Sequence, residues 1–202
     1  MAETIGILSL QGDFLEHEMK IKSINPNLSI KEVLYPEHIA EVDRFILPGG
    51  ESTTMNLVGN HSVLQTKVFS ALKERLQHEE DLPVLATCAG LILLAKEIIS
   101  FPNNESLKPL LGILPIKVLR NHYGRQQNSF ETNLEVKGFD SMFPGVFIRA
   151  PMIELLSAST NVNVLANFQN SPVLVKYKNI LASTFHPELV KDKRIHELFL
   201  SL

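Results

Sequence analysis

A buried strand that runs into small residues around a thiol, and then at once into a helix, leaves a chain few folds to choose from. Pro83 opens a short apolar run, Val84-Leu85-Ala86-Thr87. It is too short for a helix and is flanked by breakers, so it reads as a buried strand. Leu91 to Ile99 is rich in Leu, Ala, Lys and Glu, which favours a helix. Between the two lies Ala86-Thr87-Cys88-Ala89-Gly90. A sharp strand-to-helix turn of this kind holds a nucleophile above the end of a sheet, and its neighbours must be small because backbone passes close to backbone. A helix beginning directly after Cys88 sets free N–H groups and positive dipole beside the sulfur, favouring thiolate. A lone cysteine is otherwise most often a small buried hydrophobe, so the rest of the chain has to decide.

That chain alternates as a parallel sheet requires. Thr4 to Leu10 reads as a first strand, and Asp13 is placed to cap a helix beginning near Phe14. Asn25-Pro26-Asn27 ends that helix, the more polar Leu28 to Val33 suits a strand nearer the sheet edge, and Tyr35 to Ile39 suits a short helical connection. Phe45-Ile46-Leu47 is a further strand, followed by Pro48-Gly49-Gly50-Glu51-Ser52-Thr53-Thr54, where two residues without side chains let main-chain N–H groups approach a ligand. Val63 to Gln77 carries apolar residues at helical spacing. Strand and helix in alternation predict a parallel sheet covered on both faces. Ligands bind such sheets beyond the carboxyl ends of the strands, and Gln11, Gly50 and Cys88 each fall at such an end. Ser100 to Leu110 reads as a loop; Gly112 to Leu119, Phe130 to Val136, Val146 to Ala150, Val162 to Phe168 and Pro172 to Tyr177 read as short strands, some extending the sheet in antiparallel fashion. The chain closes with Ile180 to Leu189, an apolar strand leading into His186, and a terminal helix is expected from about Asp192.

Composition narrows the class. A chain of 202 residues, 45% hydrophobic, suits one compact domain over residues 1–202 with a sizeable core. A net charge of -3, with its charges scattered, argues against nucleic acid as partner. One cysteine excludes an internal disulfide and fits a reducing compartment. The N-terminus lacks a signal-peptide pattern and no apolar run is long enough to span a bilayer, so a cytoplasmic protein without membrane association is expected. The seven histidines and single cysteine show no close-spaced ligand pattern, so no structural zinc or other metal is expected.

A thiol nucleophile needs a base, and the base an orienting group. His186-Pro187-Glu188 supplies both residue types. Pro187 biases His186 toward extended backbone, and in extended chain residues two apart share a face, so His186 and Glu188 are expected side by side. A cysteine thiol ionises near pH 8.5, and lowering that by about two units takes roughly 2.7 kcal/mol, within reach of an imidazolium and a helix start. The N–H groups of Gly50 and of Ala89, the residue after the nucleophile, are candidate oxyanion donors, worth about 2.7–4 kcal/mol each in such sites.

Ala-Thr-Cys-Ala-Gly with His-Pro-Glu near the C-terminus resembles the class I, or triad, glutamine amidotransferases. Leu10-Gln11-Gly12-Asp13, Pro48 to Thr54, Thr87 to Leu91, Arg120-Asn121-His122-Tyr123-Gly124-Arg125-Gln126, Ser129-Phe130-Glu131, Phe147-Ile148-Arg149-Ala150-Pro151 and Thr184 to Leu189 narrow the likeness to the glutaminase subunits of pyridoxal 5'-phosphate synthase, over essentially the whole chain. The resemblance implies a three-layer α/β/α sandwich, flavodoxin-like, with a mainly parallel central sheet. It implies hydrolysis of L-glutamine to glutamate and ammonia by Cys88, His186 and Glu188, through a thioester, with no cofactor. It assigns glutamine binding to Gly50, Glu51, Ser52, Arg120, Ile148 and Arg149. The chemistry agrees: the substrate's α-carboxylate suits Arg149 or Arg120, and Glu51 is suited either to its ammonium or to ordering the loop. Gln11 either gates or completes the oxyanion region. Ala86 departs from the glycine usual in the family's elbow, a change that negative φ there would accommodate.

Ammonia is a nucleophile only while unprotonated, so a sheltered path to a second site is expected. The resemblance implies a separate (β/α)8-barrel synthase subunit as partner. Two other readings stand beside this one: a glutaminase serving a different synthase, and a non-catalytic scaffold that binds a partner.

Overall fold

The computed structural model describes residues 3–59, 67–78, 81–100, 103–120, 129–157 and 159–202. A seven-stranded sheet forms its centre, in the order β11-β12-β13-β4-β3-β1-β2. β1 (Thr4–Leu8), β2 (Ser29–Val33), β3 (Arg44–Leu47), β4 (Val84–Thr87) and β13 (Ile180–Ser183) run parallel. β11 (Asn163–Phe168) and β12 (Ser171–Tyr177) extend the sheet antiparallel, as the sequence predicts for part of the second half.

The central strands are apolar without interruption because both faces are covered. Phe45, Leu47, Val84 and Ala86 face one apolar cluster, which takes in Met55 of α2 (Ser52–Gly59) and Val68, Phe69, Leu72 and Leu76 of α3 (Val68–His78). Ile46, Leu85 and Leu181 face the other, with Ile21 of α1 (Phe14–Ile24) and Ile195 and Phe199 of α5 (Arg194–Leu200). The fold is α/β with a mainly parallel central sheet, as expected.

The expected elements differ from the observed ones in several places, each for a local reason. The helix predicted from Leu91 to Ile99 is confined to α4 (Ala89–Leu94); Ala95–Ser100 is strand β5. Helix propensity there is overridden by pairing, because β5 lies parallel to β7 (Leu114–Arg120) and antiparallel to β6 (Glu105–Leu107). The segment predicted as a Ser100 to Leu110 loop thus contains strand β6. With β10 (Met152–Leu155), which the sequence did not signal, these strands form a second, four-stranded sheet. β8 (Ser129–Leu134) and β9 (Phe143–Ile148) pair as a separate ribbon on the α1 and α5 face. The helix predicted from Val63 is described from Val68 onward; residues 63–66 lie outside the described residues. Short 3-10 turns occupy Pro36–Glu41, close to the expected helical connection, and Pro187–Leu189. No helix among the described residues is long and apolar enough to cross a membrane.

Candidate active site

β4 delivers Cys88 at its carboxyl end with φ 45° and ψ −99°. A residue with a Cβ rarely adopts such a backbone, and here the surroundings enforce it. The Cys88 N–H donates to the Ser183 carbonyl (2.9 Å), and the Cys88 carbonyl accepts from the N–H of Ile92 (3.3 Å) as α4 begins. A Cβ on Gly90 would sit 2.1 Å from the Leu47 carbonyl oxygen, so only glycine lets α4 pack that tightly over β3. Ala86 is an ordinary strand residue paired with Leu47 and Ala182, and its φ is not positive. Its extra methyl packs into the core and leaves the turn undisturbed.

His186 and Glu188 follow β13. The expectation that they lie along extended chain is corrected: His186 is followed by the 3-10 turn Pro187–Leu189, of which Glu188 is part. The turn still brings Nδ1 of His186 to 2.7 Å from Oε1 of Glu188, and the His186 N–H is anchored on the Val146 carbonyl (2.8 Å). Nε2 is thereby left for the thiol. Asp13 reaches the same Nδ1 at 3.2 Å. It does not cap α1 with its side chain, contrary to its sequence reading. Burial opposes charge on His186, but hydrogen bonds with Asp13, Cys88 and Glu188, and the charge of the thiolate, outweigh it and push the imidazole up to about 12. Burial pushes the Glu188 carboxyl up, against the pull of His186. The arrangement favours an imidazolium beside Cys88, backed by Asp13 and Glu188.

A cleft opens in front of the sulfur, lined by Gly50, Glu51, Ser52, Cys88, Ile92, Arg120, Ile148, Arg149 and Pro151. The loop after β3 forms one wall. Gln11 Oε1 accepts from the Glu51 N–H (2.7 Å), and Gly50 has φ 148°, with a Cβ there meeting Gln11 Oε1 at 2.6 Å. Glu51 caps α2: its carboxylate accepts from the N–H groups of Thr53 (3.1 Å) and Thr54 (2.7 Å) and from the Thr54 hydroxyl (2.8 Å). Of the two roles the sequence allows Glu51, loop ordering is the one seen. Arg120 leans on this cap, with Nη2 3.4 Å from Glu51 Oε1 and 3.2 Å from Thr53 Oγ1. The rest of that sequence block, residues 121–126, lies outside the described residues. The other wall is the end of β9, where Phe147 stacks on Phe130 at 4.6 Å between centroids. This fixes Ile148, whose carbonyl oxygen is 4.0 Å from Sγ, and exposed Arg149, held at φ 46°. Ala89 lies buried behind Cys88 at the first position of α4, where a helix N–H has no intrahelical acceptor.

Comparison with known proteins now bears on this geometry. Residues 7–202 match the family model described as the SNO glutamine amidotransferase family. The chain belongs to the SNO glutamine amidotransferase family. Among its relatives, the pyridoxal 5'-phosphate synthase subunit PdxT of Thermosipho africanus is 44% identical over 198 residues, covering 98% of this chain and 97% of the relative. The same-named subunit of Kosmotoga olearia is 48% identical over 197 residues, covering 96% and 95%. A crystal structure of a glutamine amidotransferase superposes with a TM-score of 0.83 at 42% identity, covering 98% of this chain and 97% of that one.

Within this SNO-family chain, sequence reasoning overlooked three contributors. Asp13 was placed at a helix start, not beside an imidazole; Ile92 entered only as part of the expected helix and Pro151 only as the end of the Phe147 to Pro151 block. His17 and His196, buried behind Glu188, carried no motif, and Thr87 entered only as part of the elbow. One grouping among the described residues could offer metal ligands, Asp13, His186 and Glu188, and its atoms already engage one another.

Proposed function

We propose that this chain is the glutaminase subunit of a pyridoxal 5'-phosphate synthase, releasing ammonia from L-glutamine for a separate (β/α)8-barrel subunit. The observation that carries the reading is the strained Cys88 at a strand end, with the His186 imidazole held by Glu188 at 2.7 Å and Asp13 at 3.2 Å. In this reading Cys88 is the nucleophile and attacks the side-chain amide of glutamine. His186 gives its proton to the amide nitrogen as the C–N bond breaks, releasing neutral ammonia, and then activates the water that hydrolyses the thioester. Glu188 holds the His186 Nδ1–H, and the N–H groups of Gly50 and Ala89 take the oxyanion. Arg120 and Arg149 meet the substrate carboxylate, while Ser52 and Ile148 shape the cleft and Gln11 steadies the loop carrying Gly50. No step calls for a cofactor or metal.

The relatives' shared name, and the match along nearly their full length, favour this synthase over another ammonia acceptor. Glutamate release is to be measured with and without the barrel subunit. Wild type is expected to turn over in the complex, and Cys88→Ala to fall to background. Turnover by Cys88→Ala equal to wild type would refute the nucleophile, and no turnover with the barrel subunit present would refute the function.

A further inference from the structure

Behind the His186–Glu188 pair lie two imidazoles that the reaction as written does not use. His17 of α1 and His196 of α5 are both fully buried. His17 Nε2 is 3.2 Å from Thr87 Oγ1 and 3.5 Å from Glu188 Oε2. His17 Nδ1 is 3.0 Å from His196 Nε2. Glu188 Oε2 and His196 Nδ1 have no hydrogen-bond partner of ordinary geometry.

These contacts select one proton arrangement. If His17 carried its proton on Nδ1, a lone pair would face the Glu188 carboxylate, and His196 would bury an N–H donor with nothing to accept it. With the proton on Nε2, His17 points a donor at Glu188 Oε2 and Thr87 Oγ1, and accepts from His196 Nε2–H. His196 Nδ1 is then a bare acceptor, and a buried acceptor without a partner is more readily tolerated than a buried donor. Burial, helped by His196, His186 and Lys20, disfavours charge on His17, and burial does the same for His196. An apolar pair would fill the same space without any of this polarity. Asp13 and His17 stand four apart at the start of α1, so the helix grips His186 with one side chain and Glu188 with the other.

We propose that His17, with its proton held on Nε2 by His196, is a positioning residue for glutamine hydrolysis, orienting Glu188 behind His186 and steadying Thr87 next to the nucleophile. The inference rests on the glutaminase reading above and extends it to a residue outside the Cys88, His186 and Glu188 set.

The test compares His17→Leu with His17→Gln, whose amide nitrogen can stand where Nε2 stands, in the full chain with its barrel subunit. His17→Leu is expected to lose kcat by roughly tenfold to a hundredfold, typical of groups that orient another functional side chain, with KM within about twofold. His17→Gln should recover most of the loss. Cys88 is the chain's one cysteine, so the pH midpoint of alkylation by iodoacetamide reports on that thiolate alone. It should move upward by roughly half a unit or more in His17→Leu, as the imidazolium loses support, and stay in place in His17→Gln; a merely structural loss would not move it. The wild type, labelled with 15N-histidine, should show His17 protonated on Nε2, a readout independent of whether any variant folds. Wild-type kcat in His17→Leu, an unmoved alkylation midpoint, or a proton on Nδ1 of His17 would each overturn the inference. Absence of glutamate release by the wild-type complex would instead overturn the glutaminase reading beneath it.

Discussion

At the scale of single residues, the proposed chemistry turns on how two carboxylates share one imidazole. Glu188 is fully enclosed at its side chain, whereas that of Asp13 is 33% exposed. Charge acts more strongly where water is excluded. Glu188→Gln is therefore expected to lower kcat by roughly a hundredfold or more, and Asp13→Asn by clearly less, in glutamate-release assays with the partner present. Equal losses would show that Asp13 has been ranked wrongly. For binding, Arg120→Ala or Arg149→Ala should raise KM for glutamine about tenfold or more, the value of a lost charge-assisted hydrogen bond. Unchanged KM in both would remove the guanidinium groups from substrate recognition. Cys88, His186, Glu188 and Gly50 were legible as candidates because elbow, His-Pro-Glu and Gly-Gly are local patterns; Arg120 and Arg149, which line the cleft with Cys88, came only from the family resemblance. Asp13 and His17 were not legible, since what defines them is distance to residues more than 160 positions further along the chain.

At the scale of elements, the strand-to-helix turn is where local preference and packing agree best, and β5 is where they part. Thr87, Cys88 and Ala89 fall where the alternation of breakers and apolar runs puts them. Ala95–Ser100 became strand because an unpaired edge of β7 was available on one side and β6 on the other, information that no window of residues carries. His186 and Glu188 meet across a 3-10 turn, not along a strand, so the expected neighbours were found by a different route. The turn itself makes a demand that can be measured. Gly90→Ala would set a methyl 2.1 Å from the Leu47 carbonyl oxygen and should cost more than about 2 kcal/mol, read as a lowered urea midpoint. An unchanged midpoint would mean that α4 can lift away from β3.

At the scale of the whole molecule, the buried histidines set how stability follows pH. Burial holds His17 well below its ordinary range and takes His196 down to about 3. Both are neutral when folded and protonate when unfolded, so the stability they confer is full above about pH 6.5 and drains away as pH falls, for His196 toward about 3. While both contribute, the slope should approach two protons, about 2.7 kcal/mol per pH unit. His186 works in the opposite sense. Its raised value gives stability that is complete below about pH 6.5 and is lost as pH rises toward about 12. Urea unfolding across this range should therefore give a maximum near pH 6.5, with a steep acid side and a shallower alkaline side. An acid limb unchanged when His17 and His196 are both replaced by apolar residues would contradict the neutral pair. The parallel sheet and its two covered faces were legible in the alternation of the first half, whereas the strand order and the second sheet needed long-range pairing to appear.

The most direct test of the central claim is to treat the chain, in complex with its barrel subunit, with an electrophilic glutamine analogue and to map the adduct by peptide mass spectrometry. One adduct on the peptide carrying Cys88, formed faster with the partner present and suppressed by excess L-glutamine, is the predicted result. An adduct elsewhere, or labelling that glutamine does not suppress, would contradict a glutaminase built around that sulfur.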